Sequence, residues 1–547
     1  MSWRNDPAVA RAGAAEAGGD WMTAYRHYDE ALARWPRQLP LQLACGIAAT
    51  RAGESAAARA LLEPALRESP GQAHGWAALG QACARLGDPV AARAALARAV
   101  ALDPRSPALR LNLANVLRTL GETAAARAEL ERALQLAPDY APAHYNLANL
   151  LRDNNAPEAA KAHYLAALDA APDHLESRYN LGCLLRQHGE MTEALATFEA
   201  VLARAPGHAD AWHNLGGCRR ALGDWEGARA AYRQALALSD TPLPRYALGT
   251  LDLLHGRWRE GWIGYEARWA ACGVTPPTVP LPRWHGEAVA ATARLLVFSE
   301  QGYGDLLQFA RFVPQLQARF ATVTLACPPA MARLMAASLD GVTVCDHLPD
   351  PATFTHCVPI MSLAATLQVD EAMLRTFPVP YLRTPEGGAP AVRGTGLNIG
   401  LCWTGNPGQA DNIQRTVPLG LLRNLAHLPG ITWHNLQQGK AEQARAAGFT
   451  LHDASAHWRD FADTAAYLDG LDLVISACTS IAHLAGALGR PVWLVSRFDA
   501  DWRWLLARED SPWYPSLRLF RQPRPGDWPA AVAALEGALR QRLGAPI

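Results

Sequence analysis

A repeat of 34 residues is the feature that most constrains how this chain can fold. The period runs from residue 5 to 242 without an insertion and defines seven units, starting at 5, 39, 73, 107, 141, 175 and 209. An eighth unit follows one residue out of register, with Leu248, Gly249, Gly261 and Tyr265. Such periods are typical of solenoids, in which each unit buries its apolar face only against its neighbours.

Four positions of the unit predict a pair of closely packed helices. Position 20 is alanine in all seven units: Ala24, Ala58, Ala92, Ala126, Ala160, Ala194 and Ala228. Position 8 is always small and position 24 always large, as in Gly46 and Leu62, so we expect a small residue to face a large one. Proline at position 32 of six units predicts the end of each second helix.

This pattern resembles the tetratricopeptide repeat, which implies an α-solenoid over residues 5–269 with a concave groove. Positions 6 and 12 of four consecutive units carry asparagine and arginine: Asn112, Asn146, Asn180, Asn214, Arg118, Arg152, Arg186 and Arg220. We call the four asparagines the asparagine ladder. Because amides both donate and accept hydrogen bonds, the ladder could hold the backbone of an extended peptide. The arginines would favour peptide segments that are acidic. Alternatively, these residues only solvate a helix face, with the arginines paired to neighbouring repeats.

The asparagine ladder is similar to that of the O-linked N-acetylglucosamine transferases, whose repeat groove holds the acceptor protein. The resemblance covers four units and implies that an enzyme follows. A linker is predicted at 270–293, where a proline-rich stretch ends the helical pattern.

The second half of the chain has the alternating pattern of an α/β protein. The runs LLVFS, TVTLAC and VTVCD alternate with helical stretches and predict a doubly wound sheet domain at 294–385. A second such domain is predicted at 396–525 from the runs NIGLCWTG, ITWHNLQ, LDLVISAC and VWLVS. A C-terminal helix is predicted at 526–547. Ligands of such Rossmann-like sheets bind at the carboxyl ends of the strands, so we expect the site in the cleft between them.

Two strand-to-helix turns carry the candidate chemistry. In SEQGYGDLLQFARF, Gly302 and Gly304 would allow a tight turn, and Asp305 either caps the helix or points into the cleft. In LVISACTSIAHLAGALGRP, the helix start at Thr479 and Ser480 would offer N–H groups to a diphosphate. His483 could add a hydrogen bond there or be structural.

These two motifs, together with Pro314, resemble the heptosyltransferase-type GT-B glycosyltransferases over roughly residues 294–525. The resemblance implies a GT-B fold, with Asp305 as the catalytic base and with Thr479, Ser480 and His483 at the donor diphosphate. The chain departs from the family pattern at Cys478, where an aspartate is usual. The basic residue that the family presents as lysine corresponds best to Arg415.

Further donor-binding candidates lie in the first motif or follow strands of the second sheet: Gln308, Trp403, Asn406, Gln437 and Gln438. Alternatively, the candidates that follow strands only make the side-chain hydrogen bonds that are typical of turns, which we call turn chemistry. Asp499 and Asp501 form a DxD sequence, which we interpret as a chance match outside the context of a manganese site.

Together, a peptide-binding groove and a sugar-nucleotide fold predict a metal-independent protein glycosyltransferase that needs no cofactor besides its nucleotide-sugar substrate. The family resemblance implies that the transfer inverts the anomeric centre. Asp305 would deprotonate a Ser or Thr hydroxyl of the acceptor protein. Bacterial flagellin glycosyltransferases are similar in organisation, which makes flagellin a candidate acceptor. Two alternatives stay open: a non-catalytic repeat scaffold with a degenerate glycosyltransferase domain, and a heptosyltransferase-like enzyme acting on a glycan or lipid.

The composition fits a globular cytoplasmic protein. Lys+Arg and Asp+Glu are 51 each, so no overall charge favours nucleic acid, and 50% of the residues are hydrophobic. No signal segment or membrane span is expected, and the ten scattered cysteines are interpreted as reduced core thiols. A homodimer formed through the repeats is a further possibility.

Overall fold

The computed structural model describes residues 2–391, 394–406, 408 and 412–544. The chain forms two compact units, the first ending at Pro206 and the second beginning at Gly207. From the sequence we expect the repeat domain to extend to 269, whereas the last two helix pairs lie in the same unit as the sheets.

The helices of the first unit follow the 34-residue period. They are α1 (Pro7–Ala17), α2 (Trp21–Arg34), α3 (Leu39–Ala52), α4 (Ser55–Glu68), α5 (Ala73–Arg85), α6 (Pro89–Leu102), α7 (Pro107–Thr119), α8 (Thr123–Leu136), α9 (Ala141–Asp153), α10 (Pro157–Ala170), α11 (Leu175–Gln187) and α12 (Met191–Arg204). From α3 onward, the first helix of each pair begins at the first residue of its unit. Each second helix ends two residues before the proline at position 32, as predicted.

The packing of small against large residues is confirmed within each pair. The seven alanines at position 20 are fully buried. A Cβ atom added to Gly46 would lie 2.6 Å from Cγ of Leu62, and one on Gly182 would lie 2.8 Å from the Phe198 ring. The helices are therefore held too close for any side chain at these glycines.

The second unit begins with α13 (Ala209–Leu222), α14 (Trp225–Leu238), α15 (Pro242–Leu254), α16 (Trp258–Tyr265) and α17 (Arg268–Ala271). These helices pack on the α/β part through aromatic contacts, with ring centroids 5.1 Å apart for Trp262 and Trp502 and 6.0 Å apart for Trp258 and Trp513. This shared core explains why the unit boundary lies before α13.

Two parallel sheets follow. The first contains β1 (Arg294–Phe298), α18 (Tyr303–Phe309), β2 (Thr322–Ala326), α19 (Pro329–Ser338), β3 (Thr343–Cys345), β4 (His356–Pro359), α20 (Leu363–Thr366) and α21 (Glu371–Leu374), with strand order β3-β2-β1-β4. The second contains β5 (Leu397–Cys402), α22 (Asn412–Arg415), α23 (Arg423–Ala426), β6 (Ile431–Asn435), α24 (Ala441–Ala446), β7 (Leu451–His452), α25 (Phe461–Asp469), β8 (Leu473–Ser476), α26 (Ser480–Ala487), β9 (Val492–Ser496), β10 (Leu517–Arg521) and α27 (Trp528–Arg542).

The second sheet has the order β10-β9-β8-β5-β6-β7, and its strand pairs are parallel. Counted from β5, this is the order 3-2-1-4-5-6 of doubly wound dinucleotide-binding sheets. Strands β4, β7 and β10 are additions to the strands that the sequence predicts. These strands are short or carry polar residues, as in His356–Pro359 and Leu517–Arg521. Their apolar runs are therefore too short to indicate a strand in the sequence.

All ten cysteines are free thiols. Cys272 is exposed, so the prediction that the cysteines are core thiols is wrong at this position. Across the part of the chain that the structure describes, we find no helix with the length and apolar content needed to cross a bilayer.

We expect Gly249→Ala to destabilise the protein and Gly13→Ala to stabilise it. A Cβ on Gly249 would lie 2.6 Å from the Gly264 carbonyl carbon, and backbone cannot yield as a side chain can. The clash should lower the free energy of unfolding by about 1–3 kcal/mol. Gly13 in α1 has no atom within 4 Å of an added Cβ, so alanine there should add about 0.5–1 kcal/mol. Urea unfolding of both variants tests this prediction. Changes in the free energy of unfolding that have the same sign in both variants would contradict it.

Candidate active site

Both sequence motifs lie where the strand order of their sheets reverses. The Asp305 turn follows β1, which lies between β2 and β4, and the Thr479 turn follows β8, which lies beside β5. Ligands of doubly wound sheets bind outside the carboxyl ends of the strands at such points. The position of both turns therefore suits a binding site.

The two turns pack directly against each other. A Cβ atom on Gly304 would lie 3.0 Å from Cδ2 of His483 and 3.7 Å from Cα of Ser480. Glycine at 304 therefore allows the start of α18 to approach the start of α26. This close approach brings Asp305 and Thr479 to one place, although their motifs are far apart in the chain.

The tight bend before α18 depends on a residue that the sequence does not single out. Gly302 has φ −86° and ψ 165°, an extended conformation open to any residue. The left-handed conformation is taken by Gln301, with φ 60°, and its Oε1 accepts a hydrogen bond from the Tyr265 hydroxyl at 3.2 Å. The expectation that Gly302 and Gly304 supply the bend is therefore wrong, since Gln301 supplies it.

Asp305 caps its helix and also has access to solvent. Its Oδ2 accepts a hydrogen bond from the Gly302 amide at 3.0 Å, and its Oδ1 accepts one from the Arg503 guanidinium. Of its side-chain surface, 19% is exposed. Burial raises the pKa of the Asp305 carboxyl, while the charge of Arg503 opposes that rise. A raised pKa makes the ionised carboxylate a stronger base.

Arg503 holds this arrangement together, although it belongs to neither of the two sequence motifs. Its Nε donates to Oε1 of Gln308 at 2.6 Å, and its Nη1 donates to Oδ1 of Asp501 at 2.8 Å. Gln308, a predicted donor-binding residue, is fully buried and supports Arg503. The only sequence signal is an arginine between two tryptophans in WRW, the 3₁₀ turn Trp502–Trp504.

At the second turn, Thr479 is the residue before α26, but its side chain does not cap the helix. Its hydroxyl lies 3.0 Å from Oγ of Ser476 and 3.6 Å from Sγ of Cys402. Ser480 is half-buried. The first amides of a helix precede its first internal hydrogen bond, and such amides are able to bind anions.

His483 is a neutral, buried side chain. Its Nδ1 lies 2.9 Å from the Tyr514 hydroxyl, and its ring stacks on Trp504 with centroids 5.3 Å apart. Burial, followed by the charge of Arg503, lowers the pKa of His483 to about 3. These contacts favour the structural interpretation of this residue.

Cys478 is neutral as well. The Trp504 indole donates to its Sγ at 3.2 Å, and burial raises the pKa of the thiol to about 11. With Arg415 and Arg497, it lines a small pocket that opens to solvent. The Arg415 guanidinium lies against Gly405, where a Cβ would be 3.1 Å from its Nη2. This pocket lies at the ends of β5, β8 and β9, and its charged lining residues are Arg415, Arg497 and Asp501.

Two candidates after β5 have structural surroundings. Trp403, a predicted ligand contact, is 2% exposed and packs in the core of the second sheet. Oδ1 of Asn406 accepts a hydrogen bond from the Gly408 amide at 3.0 Å, which is the turn chemistry given as the alternative.

The two glutamines after β6 bind backbone groups of other loops. Oε1 of Gln437 accepts from the Thr404 amide at 3.2 Å, and Nε2 of Gln438 donates to the Ser455 carbonyl at 3.4 Å. Gln437 thus joins the loops after β5 and β6 and shapes the rim of the site.

The asparagine ladder is accessible over part of its length. Asn112, Asn146 and Asn180 are half-buried, whereas Asn214 is 7% exposed and donates to the Asp210 carbonyl. Asn180 donates to Oδ1 of Asn149 at 3.1 Å. The prediction of an accessible amide is therefore wrong at Asn214, where the side chain is buried.

The four arginines beside the ladder divide into two groups. Arg118 and Arg186 are exposed, while Arg152 pairs with Asp153 at 2.9 Å. Arg220 pairs with Asp499 at 3.0 Å and is 16% exposed, so it follows the alternative of a structural ion pair.

Family models for the tetratricopeptide repeat match residues 73–116, 111–174 and 179–241. These residues form tetratricopeptide repeats. The structure extends the same helix pairs to both sides of the matched ranges, from α1 to α16.

Several known proteins are similar to parts of this chain. YrrB, described as a TPR protein with an unusual peptide-binding site, is 23% identical, with 33% of this chain and 92% of YrrB covered and a TM-score of 0.29. A thermophilic TPR protein of Thermus thermophilus is 24% identical, with 34% and 99% covered and a TM-score of 0.29. Protein FlbA of Caulobacter vibrioides is 26% identical over 346 residues, which cover 55% of each chain. The chain thus spans about half the length of FlbA.

We expect His483→Gln to reduce the loss of stability in acid. A buried histidine with a lowered pKa stays neutral when folded, whereas the unfolded chain binds a proton below about pH 6.5. The contribution of the neutral His483 side chain to the stability of the folded state is therefore present above that pH and is lost as the pH falls. Relative to the variant, the wild type should lose up to about 2 kcal/mol more between pH 7 and pH 5. Urea unfolding at both pH values measures this, with exposed His347→Gln as the control, and parallel curves for wild type and His483→Gln would contradict it.

Proposed function

We propose that this protein transfers a sugar from a nucleotide-sugar donor to a Ser or Thr hydroxyl of an acceptor protein. The observation that carries the proposal is the contact between the Asp305 turn and the start of α26, with 3.0 Å between a Gly304 Cβ and His483. A basic carboxylate and an anion-binding helix start then lie side by side, as a displacement at an anomeric carbon requires. This proposal includes a GT-B arrangement of the two sheets.

For the donor, we assign the diphosphate to the start of α26 and to Arg415. A helix start carries partial positive charge, and Arg415 lies at the same edge of the sheet. Both would stabilise the negative charge that grows on the leaving nucleoside diphosphate. The reaction would then need no metal ion.

For the acceptor, we assign the base role to Asp305. The Ser or Thr hydroxyl gives its proton to the carboxylate as its oxygen bonds to the anomeric carbon, and the bond from that carbon to the diphosphate breaks. The raised pKa of Asp305 and its 19% exposed side-chain surface suit this role. Attack from the face opposite the leaving group inverts the anomeric centre.

The repeats would hold the acceptor protein as an extended chain along Asn112, Asn146 and Asn180. Arg118 and Arg186 would add a preference for acidic segments, since both are exposed. We propose a bacterial structural protein such as flagellin as the acceptor.

One observation favours a second candidate function, a scaffold without catalysis. Both carboxylate oxygens of Asp305 already accept hydrogen bonds, from Gly302 and Arg503, and this is also what a purely structural aspartate would do. In that case the repeats would bind a partner protein while the sheets only support them.

Nucleotide binding distinguishes these two functions. We expect one of UDP, GDP, ADP, CMP or dTDP to raise the melting temperature, and at 100 times its dissociation constant to add about 2.7 kcal/mol of stability. Thr479→Ala and Arg415→Ala should abolish this shift, while the exposed control Arg423→Ala retains it. No shift with any nucleotide would favour the scaffold. Sugar transfer to an acceptor protein, followed by mass spectrometry, tests the catalytic step.

A further inference from the structure

We propose that the last two helix pairs position the catalytic turn, with Arg220 as a positioning residue for Asp305. The inference rests on the proposed function and deepens it, because it assigns to the repeats a role in setting the catalytic centre as well as in holding the acceptor. The contacts that support it all lie within the second unit.

The first link joins the seventh repeat to the loop after β9. Nε of Arg220 donates to Oδ1 of Asp499 at 3.0 Å, and its Nη1 donates to the Thr250 hydroxyl at 3.0 Å. The neighbouring Phe498 stacks on Trp225 of α14 with centroids 5.7 Å apart. Two different kinds of contact therefore attach this loop to α13 and α14.

The same loop reaches the catalytic turn four residues later. We call residues 497–504 the bridging segment. It carries Asp501, which pairs with Arg503 at 2.8 Å, and the Arg503 guanidinium in turn donates to Oδ1 of Asp305. The Trp502 side chain between them is 3% exposed and is held by Trp262 of α16. A shift of this segment would move Arg503 and change the orientation of the Asp305 carboxylate.

A second link attaches the other end of the turn to α16 and α17. Nε of Arg268 donates to Oε2 of Glu300 at 3.1 Å, and the Tyr265 hydroxyl donates to the side chain of Gln301 at 3.2 Å. Gln301 is also the residue with φ 60°, a conformation that needs support from its surroundings. The turn that carries Asp305 is thus held on both sides by helices of the repeat array.

The experiment measures amide hydrogen exchange and transfer kinetics on the full-length protein. Arg220→Met should speed exchange in residues 299–309 and 497–504 and lower kcat by about 10- to 100-fold. Arg220→Lys should restore part of kcat. The matched control is Arg233→Met, since Arg233 is an exposed arginine of the same repeat.

A double variant and a milder variant complete the test. Because Arg220 and Asp499 act through one contact, Arg220→Met with Asp499→Asn should cost no more kcat than the larger single effect. If Arg220→Met fails to fold, Asp499→Asn alone should still speed exchange at 299–309. Unchanged exchange at 299–309 in both single variants, with wild-type kcat, would overturn the proposal. Faster exchange there in a protein without transferase activity would support positioning and remove only the proposed function.

Discussion

Asp305→Asn is expected to lower kcat for sugar transfer by about 10²- to 10⁴-fold while the dissociation constant of the donor nucleotide stays within a few-fold of wild type. Asparagine keeps an oxygen that can accept the Gly302 amide, so the start of α18 should keep its cap. It removes the charge and the basic lone pair, and no other carboxylate has been assigned to the acceptor hydroxyl. Initial rates and calorimetric titration of the nucleotide provide the two readouts.

Asp527→Asn is the matched control for this substitution. Asp527 caps α27 through the Ala530 amide, pairs with Arg524 and has 16% of its side-chain surface exposed, close to the value of Asp305. It lies at the start of the C-terminal helix, so its variant should transfer sugar at the wild-type rate. Equal rates in both variants would remove Asp305 from the mechanism and favour the scaffold.

Arg268→Met is expected to lower the free energy of unfolding by about 3–5 kcal/mol. The Arg268 side chain is fully buried, and 2% of the Glu300 side chain is exposed. Arg268 also donates to the Ser362 hydroxyl at 2.7 Å and to Glu266 at 2.9 Å. Methionine fills a similar volume but leaves the carboxylate of Glu300 buried without its main cation. Urea unfolding at neutral pH measures the loss.

The pH dependence of that loss identifies its cause. Burial raises the pKa of Glu300 above its ordinary value of 4.5, and Arg268 limits this rise. Without Arg268 the pKa should rise further, so the folded state binds a proton that the unfolded state has released. The variant should therefore lose stability relative to wild type as the pH increases from about 5 to 8.

Two control variants separate the buried charge from the loss of an arginine as such. Adding Glu300→Gln to Arg268→Met removes the unpaired charge and should recover much of the stability. Arg204→Met breaks a surface pair with Asp173, whose side chain is 92% exposed, and should cost less than about 1 kcal/mol. A loss in Arg268→Met that neither depends on pH nor is reduced by Glu300→Gln would contradict this explanation.

The two motifs of the candidate site could be found from the sequence because each is a local pattern. A strand, small or polar residues and a helix start within about a dozen residues indicate a ligand-binding turn, which is how Asp305 and Thr479 are identified. Arg503 has no such pattern. It contacts Asp305 across 198 residues of chain, and only the packing of the bridging segment brings them together.

Candidates chosen because they follow a strand were less reliable. The sequence shows that Trp403 and Asn406 come after β5, but it does not show which way each side chain points. Trp403 packs in the core of the sheet, and Asn406 binds the loop backbone. Similarly, Arg220 and Arg118 have the same position in their repeats, but Arg220 pairs with Asp499 of a distant loop. The repeat position therefore does not show whether such an arginine is exposed or paired.

The sequence by itself determined the repeat, the helix boundaries within it and the alternation of strands and helices, because these depend on periodic burial and on residues close in the chain. Only the tertiary structure decided that the last two helix pairs share a core with the sheets and that Arg503 holds Asp305. Those features depend on contacts between distant segments, such as Trp262 with Trp502, and no local period specifies which surfaces meet.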